Sequence, residues 1–162
     1  MLDKQGVFSL LETHHIPYTL HEHAPIFTVA EGDALGEAFH KNSTRSLFLR
    51  DKKKHNYYLV SLPCHKKLDF AVLEAHIPSH RLSFASEADL EAMLGITTGA
   101  VNPLCILNDA TKKVTMVFDR SLIGQEIGLH PMSNAATIVT GFDAILHLIQ
   151  AAGHPVVLCE IS

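Results

Sequence analysis

Two apolar runs, residues 46–50 (SLFLR) and 56–62 (NYYLVSL), are separated by only the polar stretch DKKKH. So short a link between two strand-like runs leaves an antiparallel hairpin as the simplest arrangement. Alternation along the second strand sends Tyr57 and Tyr58 to opposite faces, so at least one of them enters the core.

The remaining segments mix helix and strand signals. Residues 3–14 place Val7, Leu10 and Leu11 at helical spacing, and residues 16–23 alternate as a strand. Residues 24–39 start extended and predict a helix from near Thr28, an N-cap with Glu31 three residues on. Residues 66–77 suit a helix and 80–86 a strand. Residues 86–95 suit a helix opened by Ser86 and closed by Gly95. GAVNPLCIL reads as a loop leading into a buried strand. Residues 112–123 read as a strand and turn, ATIVTG as a strand, 141–153 as a helix and PVVLCEI as a closing strand. Without strict βαβ alternation, the expected class is α/β: a mixed sheet with helices packed on it, in one domain spanning 1–162.

Composition narrows the function classes. The chain has 162 residues, 47% hydrophobic and 19% charged, which suits a folded domain rather than disorder. No apolar run approaches the ~18 residues that span a membrane, and the N-terminus does not read as a signal peptide. Cys64, Cys105 and Cys159 form no CxxC, which suits a reducing, cytoplasmic setting. The sequon NST at 42–44 is then a chance match. The formal net charge of −4 argues against gripping long duplexes through phosphates, but leaves room for a local basic groove.

Standard catalytic motifs are absent: there is no GxSxG, Walker loop, GxGxxG or HExxH. His21 and His23 share a strand face, but no third metal ligand accompanies them, so no metal or other cofactor is expected. Cys64 and His65 are strand neighbours and point apart. Lys52, Lys53 and Lys54 at the hairpin tip, with Arg50, Lys66 and Lys67 nearby, read either as a solvated turn or as a basic patch. GAVNP at 99–103 is either a strand entry or a loop bringing backbone N–H groups close to a ligand oxygen. LHPMSNAAT at 129–137 sets His130, Asn134 and Thr137 in a polar segment between apolar ones.

In their order, TRSLFLRDKKKHNYYLV, GAVNPLCILND and GLHPMSNAATIV resemble the YbaK/prolyl-tRNA editing family. HAPIFTVAEGDALG resembles the family's early Thr-Val-Glu-Glu-Ala segment. The likeness covers nearly the whole chain and is nearest to the free-standing deacylases related to the editing insertion of bacterial prolyl-tRNA synthetases. It implies a mixed, curved, partly barrel-like sheet around an aminoacyl-adenosine pocket. It also implies metal-free hydrolysis of the ester on a mischarged tRNA, in the nearest members Ala-tRNA(Pro). The partner would be the aminoacylated CCA end, with prolyl-tRNA synthetase as a further partner and a monomeric protein. By position, Thr28 and the loop Gly99, Ala100, Val101, Asn102 and Pro103 would line the pocket. His130 would contact substrate near the terminal nucleotide, supported by Asn134 and Thr137. Arg50 and Lys52–Lys54 would approach acceptor-stem phosphates.

The family pattern Thr-Lys-Asn is Thr44-Arg45-Ser46 here. Arginine keeps a lysine's charge and suits phosphate, but it cannot lose its proton and is bulkier. Arg45 and Ser46 therefore stand as candidate catalytic residues with three outcomes open. The chain is an active deacylase using Arg45 as an electrostatic clamp, a tRNA-binding homologue without turnover, or an interaction domain that docks a protein through its basic hairpin.

Overall fold

The computed structural model describes residues 1–25 and 43–162. The helix expected from Thr28, with Glu31 as its capping partner, lies outside the described residues. In chain order the elements are α1 (Lys4–Thr13), β1 (Tyr18–Glu22), β2 (Thr44–Arg50), β3 (Tyr57–Pro63), α2 (Phe70–Glu74), β4 (Ser83–Phe84) and α3 (Glu87–Leu94). A 3-10 helix, Pro103–Asn108, precedes β5 (Val114–Asp119), β6 (Glu126–Leu129), β7 (Ala136–Gly141), α4 (Phe142–Ala151) and β8 (Val156–Cys159).

The hairpin pairs β2 with β3 in antiparallel register, from Thr44 opposite Pro63 to Arg50 opposite Tyr57. β3 runs parallel to β5 and β5 parallel to β8, while β4 adds to the free edge of β2. β1, β7 and β6 form a separate antiparallel sheet. Among the described residues the two sheets meet at one bridge, Ser43 to Gly128, where Thr44 Oγ1 also donates to the Gly128 carbonyl at 2.8 Å. The mixed α/β architecture is as expected.

Each face of the hairpin carries its own core. Phe48, Leu59, Met116 and Phe118 pack with Ile127, Leu129 and Ile138 of the second sheet under α1, α3 and α4. Phe118 meets Phe142 edge-to-face, ring centroids 4.8 Å apart. Leu49, Tyr58, Val60, Leu62 and Val117 lie on the opposite face with Leu73 of α2 and with Ile77. Tyr58 is thus the buried tyrosine of the pair, and Tyr57 packs half-buried on the other side.

Local signals explain most boundaries. Asp3 caps α1 by accepting the Gly6 N–H at 2.7 Å, and Ser86 caps α3 by accepting that of Asp89 at 3.0 Å. Gly95 ends α3 in the left-handed region, φ 64°. Three expectations need correction. LCIL is not a strand: Pro103 sits at the first position of a 3-10 helix whose cap is the Asn102 side chain, and the run is buried in that form. The helix expected over 66–77 is only Phe70–Glu74, because Asp69 caps it and Lys66 belongs to the turn leaving β3. β6 went unread because it has four residues with a glycine among them.

The hairpin tip is organised by Asp51, which is 8% exposed. Its carboxylate accepts the backbone N–H of His55 (2.9 Å) and Asn56 (3.3 Å), the Asn56 amide (2.8 Å) and the Ser79 hydroxyl (3.4 Å). Burial opposes ionisation, but these donors outweigh it and hold the carboxyl below its ordinary value. Asp51→Ala should therefore lower stability at neutral pH by about 1–3 kcal/mol in urea unfolding. A depressed native pKa contributes stability above the unfolded value of ~3.9 and loses it as pH falls through the native one. The deficit of the variant should accordingly shrink in strong acid; a deficit constant down to pH 2 would mean that the charge is not what matters.

Candidate functional site

The seam between the sheets gathers the polar side chains. A Cβ placed on Gly128 would lie 3.4 Å from Ser43 Oγ and 3.4 Å from Thr137 Cγ2, so these three residues share one face. By alternation Arg45 is on the same face of β2 as Ser43, and His130 follows on the side of Gly128. A Cβ at 128 would meet both neighbours at ordinary van der Waals distance, so the three residues pack closely there.

His130 is half-buried, and its Nδ1 lies 3.0 Å from the Ala136 carbonyl. A carbonyl only accepts, so Nδ1 carries the proton and the Nε2 lone pair is left to act as an acceptor. Burial pulls the imidazole below its ordinary pKa. The bond to Ala136 opposes that shift, and the neighbouring His23 adds to it. The ring is therefore neutral at physiological pH.

His23 repeats the arrangement. Its Nδ1 lies 2.8 Å from the Ala24 carbonyl and its Nε2 2.8 Å from Thr137 Oγ1. The imidazole is thus held between a main-chain carbonyl and the threonine hydroxyl. The His23 and His130 ring centroids are 6.2 Å apart. Sequence reading treated His23 only as half of a weak metal pair. The signal that would have found its role is the pairing of β1 with β7, in which His21 sits opposite Thr137 and His23 lies just beyond.

The 99–103 loop supports the site from beside it. Asn102 is 1% exposed and fully engaged within the protein. Its Oδ1 accepts the Leu104 N–H at 2.9 Å, and its Nδ2 reaches the Ala100 carbonyl at 3.1 Å and Met132 Sδ at 3.2 Å. Ala100 and Pro103 are buried, whereas Gly99 is exposed and Val101 half-buried, so only these two offer surface to a ligand. A Cβ on Gly99 would stand 3.2 Å from Asn134 Nδ2, which ties this loop to the 130–135 segment. Cys105 lies beneath; burial pushes its thiol up to about 12, so it is no thiolate nucleophile.

Other candidates fall elsewhere. Ser46 points to the face opposite Arg45, its hydroxyl 2.5 Å from that of Ser61. Arg45 Nη2 donates to the Lys66 carbonyl at 2.8 Å, toward the β3 side of the seam. Lys52, Lys53 and Lys54 are exposed, and Arg50 is half-buried with Nη1 on the Asp51 carbonyl at 3.1 Å. The hairpin tip is roughly 20 Å from Arg45 along β2 at ~3.3 Å per residue. Thr28 lies outside the described residues.

Residues 23–148 match the sequence model of the aminoacyl-tRNA editing domain. The chain is 38% identical over 152 residues, 93% of each chain, to the prolyl-tRNA editing protein ProX of Acetoanaerobium sticklandii. It is 30% identical over 143 residues, 85% of this chain and 84% of the other, to the mouse (Mus musculus) prolyl-tRNA synthetase associated domain-containing protein 1. A solved structure described as a candidate trans-editing enzyme for prolyl-tRNA synthetase superimposes with a TM-score of 0.70 at 20% identity, over 95% of this chain and 94% of that one. At that identity the likeness is one of fold.

The His130 geometry has a direct readout. In a side-chain NMR titration His130 should show the Nδ1–H tautomer and a midpoint below the ordinary ~6.5. Because its native pKa is depressed, stability should fall as the pH drops from about 6.5 to that native value, the unfolded chain taking up the proton first. A midpoint at or above 6.5 would contradict this description.

Proposed function

The chain belongs to the aminoacyl-tRNA editing domain family, and on that premise we propose that it is a hydrolase that clears Ala-tRNA(Pro) made in error by prolyl-tRNA synthetase. Prolyl-tRNA editing is supported by the family match and by the ProX relative. Alanine as the amino acid removed is the finer part of the proposal. The observation that supports the site is the shared face of Ser43, Gly128 and Thr137 at the seam, which strand alternation extends to Arg45 and His130.

The chemistry asks little of the protein. An aminoacyl ester is already activated, so hydrolysis needs a positioned water, stabilisation of the developing oxyanion and a proton for the leaving ribose oxygen. Water adds to the ester carbonyl; the tetrahedral adduct collapses, the C–O bond to ribose breaks, and free amino acid and tRNA leave. The neutral His130 imidazole, with Nε2 as acceptor, suits the orientation of water or of a ribose hydroxyl. Arg45 supplies a fixed positive charge for the oxyanion or the terminal phosphate. Cys105 is excluded as a nucleophile by its protonated state.

Selection by size would fall to the aminoacyl pocket, whose edge we assign to Gly99 and the neighbouring Asn134. Synthetases need such correction because one methylene discriminates by only ~1–3 kcal/mol. The tRNA itself would be held by its acceptor end, with Lys52–Lys54 meeting stem phosphates well away from the ester.

The wild type should hydrolyse Ala-tRNA(Pro) faster than other aminoacyl-tRNAs in a panel. Arg45→Ala should cost about 10²–10³-fold in turnover, as loss of an oxyanion donor does, and Arg45→Lys much less. A fully active Arg45→Ala variant would remove Arg45 from the mechanism, and a wild type silent on every substrate would remove the reaction. Independently, reversing the charge of Lys52, Lys53 and Lys54 should weaken tRNA binding and lower the salt-dependence slope by about 2–3, near 0.7–0.9 per phosphate contact. An unchanged slope would return the hairpin to a solvated turn.

A further inference from the structure

Behind Arg45 lies a charged cluster that no catalytic role yet uses. Asp119 ends β5 on the same sheet face as Arg45, one residue beyond the pair Ser61–Phe118 and beside Cys159 of β8. It is 0% exposed. Lys66 Nζ lies 2.9 Å from its Oδ2, and the Ser121 hydroxyl donates to the same oxygen. The other oxygen, Oδ1, is buried without a partner. On the far side of Lys66, its carbonyl accepts Arg45 Nη2 at 2.8 Å, while Arg45 Nε is buried without a partner.

A buried carboxylate survives only when paired, and an orphaned buried donor asks for an explanation. The ion pair accounts for the first. Lys66 leaves β3 in a turn closed by its own N–H on the Pro63 carbonyl at 3.0 Å, with Cys64 N–H on the Ser43 carbonyl at 2.9 Å. Its side chain is anchored on Asp119 and its carbonyl holds the guanidinium. The anchor therefore sets where the arginine head sits. The carbonyl occupies Nη2 and leaves Nε as a donor without an acceptor. An acceptor oxygen carrying full or developing negative charge would complete it.

We propose that Lys66 and Asp119 are positioning residues, an ionic brace that fixes the Arg45 guanidinium so that Nε donates to an acceptor oxygen of the aminoacyl-tRNA end. This rests on the reading of Arg45 as a site cation. It explains how an arginine, longer and more flexible than its place on a strand requires, is held in one orientation. It also gives the buried Asp119 a task that packing alone would not require.

The decisive experiment compares the wild type, Asp119→Asn, Arg45→Ala and the double Asp119→Asn/Arg45→Ala protein, each checked for folding by circular dichroism. Two readouts are taken: Ala-tRNA(Pro) hydrolysis, and the nitrogen-detected Nε–H resonance of Arg45 with its solvent-exchange rate. In Asp119→Asn the resonance should shift and exchange faster, and kcat should fall about tenfold. In the Arg45→Ala background the same change should have no further effect on kcat. Should Asp119→Asn not fold, Lys66→Gln/Asp119→Asn removes both charges together and leaves no buried ion unpaired. An unmoved Nε–H resonance in a folded variant, or an equal loss of turnover in both backgrounds, overturns the brace. A wild type without turnover on any substrate overturns the function proposed above, and the Nε–H arm still decides the brace.

Discussion

The contact between Ser43 and Gly128 is the constraint on which the site depends. Among the described residues it is the one bridge that joins the five-stranded and three-stranded sheets, and Thr44 reinforces it from the other side of the strand. Without it, β2 would present Arg45 to one sheet while Thr137 and His130 belonged to another. At 128 the backbone lies close to the Ser43 hydroxyl and the Thr137 methyl, which packs the two sheets together at this point. The bridge thereby brings residues some ninety positions apart in the chain onto one face.

Around that seam, hydrogen bonds to main-chain carbonyls do the electrostatic tuning. His130 and His23 each spend Nδ1 on a carbonyl, which fixes the tautomer and leaves Nε2 as the reactive or accepting atom. At His130 burial and the neighbouring His23 both favour the neutral ring. The loop amide Asn102 plays a different part: by satisfying all of its polar groups inside the protein, it holds the 99–105 and 130–135 segments in register. Its motif position suggests contact with substrate, but its bonds assign it to the scaffold.

Much of this was legible in the sequence, for identifiable reasons. The β2–β3 hairpin, the capped helices α1 and α3 and the closing strand have local signals: a short polar link, side-chain caps, a terminal glycine. The 3-10 helix at 103–108 was not legible, because a short buried apolar run has no period that separates helix from strand. β6 was too short and contained glycine. At the candidate site, the motif pointed to His130, Thr137 and Arg45 but not to a shared face, since that arises from the pairing of sheets distant in sequence. Ser46, adjacent to Arg45 in the motif, faces the other way as strand alternation demands. His23, Lys66 and Asp119 became visible only through pairing with β7 and the row across β3 and β5.

The substitution of arginine for lysine is best judged through that row. A lysine at 45 would carry a compact, mobile charge with three donors, and it could give up a proton when desolvated. Arginine cannot do the last, so a site that uses it must work by fixed charge. Fixed charge is effective only if it is preorganised, because a head that reorients during the reaction spends its stabilisation on ordering itself. The Lys66 carbonyl and the Lys66–Asp119 pair are the parts of this structure that restrict the head. The exchange at 45 and the buried ion pair behind it are therefore one arrangement: a cation that cannot titrate, held still by a carboxylate that solvent does not reach.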